Sequence, residues 1–175
     1  MTKTQTLTTE RSDLLAILTQ SRFFLRNTTR GLTDEQARQR TTVSELCLGG
    51  LIKHVTDAER SWARFIMHGT SAQRAFADMT PEDWARRADG FRLLADETLD
   101  GVLADYEAVA AGTDELVRTL PDLDLAHPLP AAPWFPPGEQ WTARQVFMHI
   151  VAETAQHAGH ADIIREALDG AKSMG

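Results

Sequence analysis

The sequence predicts an all-α protein, a four-helix bundle with a long Pro-rich crossover before its last helix. Apolar residues recur at steps of three and four along four long stretches, and the alternation expected of strands is scarce. Six prolines crowd into residues 121–140, where they remove backbone donors and fix φ, so no regular helix can run there. The chain has 175 residues, 42% of them hydrophobic, and no linker-like tract, which suits a single domain over residues 1–175.

The first helix is expected from about Thr9 to Arg30, with Leu14, Leu15, Leu18, Phe24 and Leu25 on its apolar stripe and Gly31 as its stop. Thr33-Asp34-Glu35 opens a short helix that ends near Arg40. Thr42 and Glu45, three apart, read as a capping box for the second long helix, which carries Cys47, Leu51, His54, Val55, Ala58, Trp62 and Phe65 at helical steps and ends at Gly69. Gly49-Gly50 inside it points to close packing against a neighbour or to a later helix start. Residues 70–97 are mixed, with Thr80-Pro81 as the N-cap and first residue of a short helical turn. The third long helix runs from about Leu99 to Leu120, with Gly112 as a weak point. In the crossover, Trp134 and Phe135 suggest a loop that packs down on something. The fourth long helix opens at Trp141-Thr142 and runs to about Leu168, with Gly170 closing it.

Charge and composition exclude several classes. Asp and Glu number 25 against 18 Lys and Arg, a net charge of −7, so a basic face for nucleic acid is not expected. The single cysteine, Cys47, precludes an internal disulfide framework and a Cys-rich zinc site, and reads as a small buried hydrophobe. No apolar run approaches the ~20 residues that span a bilayer, and the polar stretch Met1–Glu10 lacks a signal core, so a cytoplasmic protein is expected. There is no His-Glu-x-x-His motif, no phosphate loop and no nucleophile elbow. His68 and His127, at a helix end and in a loop, are expected in solvent, as are the arginines at 86, 87 and 92.

The fourth helix carries the chemistry. At 100° per residue, Val146, Ile150, Glu153, His157, His160 and Ile164 fall within an arc of roughly 80°, with His149 on its flank. Apolar ends make the stripe core-facing, yet its middle is Glu, His, His. Unanswered buried charge costs several kcal/mol, and a divalent metal would answer it with carboxylate and imidazole as ligands. A buried Glu–His hydrogen-bond network would answer it too. His54, on the apolar face of the second long helix, could stand opposite Glu153 and His157. Glu153 and His160 lie about 10.5 Å apart along the axis, so a pair from this helix is favoured over a trio. The spacing alone does not choose between Glu153 with His157 and His157 with His160.

Leu46 to Val55, followed by Glu59-Arg60-Ser61-Trp62, and Glu153 to Asp162, followed by Arg165-Glu166 and Asp169-Gly170, resemble the two signatures of one branch of the DinB/YfiT-like superfamily. That branch is similar to mycothiol-dependent maleylpyruvate isomerase and to thiol S-transferases that use mycothiol or bacillithiol. The resemblance covers nearly the whole chain in the same order. It implies a DinB-type four-helix bundle with a divalent metal, zinc or nickel, held by His54, Glu153 and His157. Many relatives carry His-x-x-x-His where this chain has Glu153 and His157, a form resembling the isomerase. His160 falls where relatives often carry Gln, which leaves it as an alternative ligand, a group behind the ligands or a substrate contact. The implied function is metal-dependent transfer from a low-molecular-weight thiol, mycothiol or similar, to a small electrophile. Alternatives are a non-catalytic, stress-related metal- or ligand-binding protein and a metal-assisted hydrolase. Partners are then a small thiol and an electrophile, with neither nucleic acid nor membrane, and a homodimer is plausible for such bundles.

Overall fold

Side-chain caps set most of the helix boundaries. In the computed structural model, which describes residues 7–72 and 75–173, α1 (Thr9–Asn27) starts where the Thr8 hydroxyl accepts from the Arg11 amide. α2 (Asp34–Arg38) opens on a full capping box between Thr33 and Gln36. α3 (Leu48–His68) is followed by two 3₁₀ turns and by α4 (Pro81–Asp89), which has Pro at its first position and a Thr80–Asp83 capping box. α5 (Leu99–Thr119) runs unbroken through Gly112. α6 (Ala143–Asp169) opens on a Thr142–Gln145 capping box and closes at Gly170, whose φ of 78° is left-handed.

Three expectations are corrected. Thr42 and Glu45 do not cap α3, because Thr42 Oγ1 accepts from the Ser44 amide and Ser44 Oγ from the Leu46 amide, so these side chains stabilise bends instead. The helix starts later, with Cys47 as an N-cap that makes no side-chain bond. Trp141 belongs to a strand: β1 (Ala126–Pro128) pairs antiparallel with β2 (Gln140–Thr142), His127 opposite Trp141, and so ties the ends of the crossover together. His127 is half-buried rather than in solvent, its Nε2 3.1 Å from the Ile66 carbonyl.

The four long helices form a ring of neighbours, α1 against α6, α6 against α3 and α3 against α5, while α1 and α5 meet least and leave a groove of about 830 Å³. The core has two apolar halves. Leu25, Leu51, Ile52, Val55, Tyr106 and Ile164 belong to one, and Leu18, Phe65, Val117, Phe147 and Ile150 to the other. Between them lies a polar layer. Arg22 of α1 grips Glu59 of α3 through two bonds of 3.2 and 2.5 Å and reaches Asp114 of α5 at 2.7 Å. The Glu59 side chain is fully buried. Among the described residues no helix is long and apolar enough to cross a membrane.

Candidate metal centre

On α3, Leu51, Ile52, Val55 and Thr56 turn inward, so His54 stands at the rim of the seam with α6. On α6 the same logic applies to Ile150, Thr154, Ala158 and Ala161, which are buried and leave Glu153 and His157 at the opposite rim. The two helices pack face to face and bring the three side chains together. Nε2 of His54 and Nε2 of His157 each lie 3.4 Å from the same oxygen, Glu153 Oε1. The side chains are 18, 13 and 26% exposed for His54, His157 and Glu153, so the cluster is sheltered but reachable. His157 first, then His54, hold the Glu153 carboxyl well below the usual carboxylate range.

Two reference spacings bear on how this charge is answered. A charge-assisted N–H···O bond is drawn in to about 2.7–2.9 Å. Donor atoms around a tetrahedral ion with bonds of about 2.1 Å stand about 3.4 Å apart. The two separations onto Glu153 Oε1 lie near the second value, and the three donor atoms all fall within 4.8 Å of one another. The donor set, two imidazoles and one carboxylate, is also one that divalent ions take, so these residues fit a metal.

Both flanks of the cluster are held in place. His54 stacks on Phe91, with ring centroids 4.2 Å apart and an interplanar angle of 23°. Phe91 is carried there by the segment after α4, which lies flat on α3. A Cβ on Gly50 would come within 1.9 Å of the Phe91 carbonyl oxygen, so only glycine permits that approach. Lys53 clamps the same segment, donating to the Asp89 and Arg92 carbonyls at 3.2 and 3.0 Å and pairing with Glu97 at 2.7 Å. On the other side, His160 is exposed and lies outside the ligand cluster, but its Nδ1 is 3.3 Å from Nδ1 of His157, the nitrogen that faces away from Glu153.

His149, one turn before Glu153, packs edge-on against Trp62 at 4.9 Å and touches Trp141 at 5.0 Å. Burial pushes its pKa down, and the Glu153 charge opposes this only in part. Cys47 is buried, with a weak 3.9 Å contact to the Phe91 carbonyl, and takes no part in the cluster. Arg165 is tied locally, to Asp169 at 2.9 Å and to the Thr28 and Arg30 carbonyls. Phe91 and Lys53 carry no motif that marks them. The Gly49-Gly50 pair was the one sequence signal that another segment comes close here.

An all-helical bundle with a three-residue His-Glu-His cluster in the seam between two of its long helices defines the class: a DinB-like fold with a candidate metal centre. The chain matches the family described as mycothiol-S-transferase (MST) over residues 13–170, and it belongs to that family. No curated protein matches it.

Proposed function

We propose that the protein is a metal-dependent S-transferase, in which His54, Glu153 and His157 hold a divalent cation while mycothiol, or a similar small thiol, is joined to a small electrophile. The observation that carries the reading is the pair of 3.4 Å separations onto one Glu153 oxygen. Family membership supports the thiol and the transfer. Two imidazoles and a carboxylate are a donor set that both zinc and nickel take.

When bound, the cation lowers the pKa of a coordinated thiol, so that thiolate is present at neutral pH. The chain's own residues do the rest. Three protein ligands leave room for a fourth, which is the layout of a catalytic rather than a structural site. The stacked Phe91 fixes the His54 ring plane, and His160 meets the outer nitrogen of His157, so that Nδ1–H donates to it and Nε2 faces inward. The thiol sulfur forms its bond to the electrophilic carbon, the leaving group departs with the bonding pair, and the thiol proton passes to water at the rim.

The test is elemental analysis of the purified protein, followed by conjugation assays with mycothiol, bacillithiol and glutathione, with and without metal. Metal at one equivalent, together with a rate that needs both metal and thiol, is the expected result. Bound metal without thiol-dependent turnover would favour the binding-protein reading, and metal-dependent hydrolysis without thiol would favour a hydrolase.

A further inference from the structure

All four tryptophans of the chain belong to one continuous run of rings that begins beside Glu153. Trp62 lines the same narrow crevice as Glu153. It stacks on Trp141 with centroids 5.2 Å apart and planes at 22°. Phe135 meets Trp141 edge-on at 5.6 Å and continues to Trp134 at 6.1 Å. Phe76, from the segment between α3 and α4, then meets Trp134 at 5.0 Å and Trp84 at 5.1 Å. The run therefore joins the two long excursions of the fold at the side of the candidate metal centre.

Packing alone does not explain this placement. Rings gathered only to stabilise a core are buried, since each large aromatic contributes by leaving water. Here Trp134 is 60% exposed and Trp84 41%, while Trp62 and Trp141 are only half-buried. The run is half-buried beside the candidate metal centre and opens to solvent at its far end, and an exposed apolar end of this kind marks a binding surface. Its chemistry is that of π faces, which select flat, polarisable partners.

We propose that this wall is the seat of the electrophile, and that the preferred electrophiles are planar aromatic or conjugated molecules that enter over Trp134 and lie along Phe135 and Trp141 toward Trp62. This rests on the S-transferase reading for its reaction but not for its binding. With a chloroarene, the thiolate sulfur bonds to the ring carbon, the carbon–chlorine bond breaks with its pair going to chloride, and the thiol proton goes to water.

Two measurements test it. In the first, 1,3-dinitrobenzene, which carries no halide and whose meta nitro groups do not activate one another for displacement, is titrated into the purified protein without thiol and tryptophan emission is followed against a free-tryptophan control. Every tryptophan lies in the wall, so saturable quenching is expected, and Trp134→Ala should weaken the apparent affinity about tenfold. Trp134 is largely in solvent, so this variant should fold, and Trp62→Phe, which keeps a ring, should retain most of the affinity. Absence of saturable quenching overturns the proposal even if the enzyme conjugates thiols. In the second, the ratio of kcat/KM for chlorodinitrobenzene to that for iodoacetamide is compared between wild type and Trp134→Ala. A fall of about tenfold in that ratio supports the wall. An equal loss with both electrophiles, or a change confined to the KM for the thiol, overturns it. Saturable quenching without any thiol turnover would leave the wall standing and remove the S-transferase reading.

Discussion

Two polar clusters share helix α3, one reaching to α1 and α5 and the other to α6, and they solve the burial of charge in opposite ways. In the layer that divides the core, the Glu59 carboxylate meets the Arg22 guanidinium through two bonds, and Asp114 takes up the remaining fork. Cation and anion are both supplied by the chain. In the seam between α3 and α6, the Glu153 carboxylate meets two imidazoles at distances too long for short charged bonds. There the chain gathers the donor atoms of a candidate cation site. The first cluster is complete in the polypeptide and serves the fold. The second lies at a sheltered but reachable seam and is the candidate functional site. A crevice too narrow for a water molecule runs between them, lined by both Glu59 and Glu153. Size is a poor guide in this molecule, since the large groove between α1 and α5 is rimmed by charges that pair with one another, such as Arg26 with Glu107 and Arg22 with Asp114.

The sharpest way to break this contrast is to remove one carboxylate from each cluster. Glu59→Ala leaves the buried Arg22 with only its weaker partner and should cost about 3–5 kcal/mol in urea unfolding. Replacing both, Arg22→Met with Glu59→Leu, should recover much of that loss, because no uncompensated charge remains. Glu153→Ala in metal-free protein should cost clearly less than Glu59→Ala, since Glu153 is 26% exposed where the Glu59 side chain is fully buried. Equal losses for Glu59→Ala and Glu153→Ala without metal would erase the distinction.

Next in size is the effect of the cation. Saturating zinc, at about a hundredfold over its Kd, should stabilise the wild type by about 2.7 kcal/mol. His157→Ala should abolish both that shift and stoichiometric metal, and Glu153→Ala should weaken binding strongly. His160→Ala should keep the metal with affinity lowered about tenfold, because it removes only the partner of the outer nitrogen of His157. Should His160→Ala emerge metal-free while Glu153→Ala stays loaded, the ligand set is His54, His157 and His160 instead.

The contrast also explains what could be read from the sequence. The four long helices were legible because their apolar steps and terminal caps are local signals, as at Thr142 and Gly170. The candidate ligands on α6 were legible because a core-facing stripe with Glu and His at its centre breaks its own pattern. The Arg22–Glu59–Asp114 layer was not, since its members are 37 and 92 residues apart and each looks ordinary on its own helix. The β1–β2 pair was hidden by the prolines around it, and Phe91 by lying in a segment with no period. Thr42 and Glu45 misled because a side-chain pattern that caps a helix also stabilises a bend, and the later packing of Gly49-Gly50 decided where α3 begins.

The smallest expected effect sharpens the contrast from its centre. Tyr106 belongs to the buried side of the polar layer, and it is the chain's one tyrosine. Its hydroxyl and that of Thr154 are buried without a well-formed hydrogen bond. Burial first, and then the Glu59 charge, push the phenol well above its ordinary value of 10.0, with Arg22 and the Thr154 hydroxyl pulling slightly back. The folded chain therefore holds a proton that the unfolded chain releases. Tyr106 thus favours the fold fully below about pH 10, and its contribution is lost as pH rises further, by at most about 1.4 kcal/mol per pH unit. Tyr106→Phe should remove this alkaline slope. At neutral pH it should leave stability equal or raised by up to about 1 kcal/mol, because an unsatisfied hydroxyl is removed with little change of shape. The phenolate band in the near ultraviolet reports this one group directly. It should stay absent until the helices melt and then appear together with the loss of helical circular dichroism. Titration near pH 10 in protein that is still helical would show that the Tyr106 hydroxyl is solvated, and that the Arg22–Glu59 layer is open to water as the His54–Glu153–His157 cluster is.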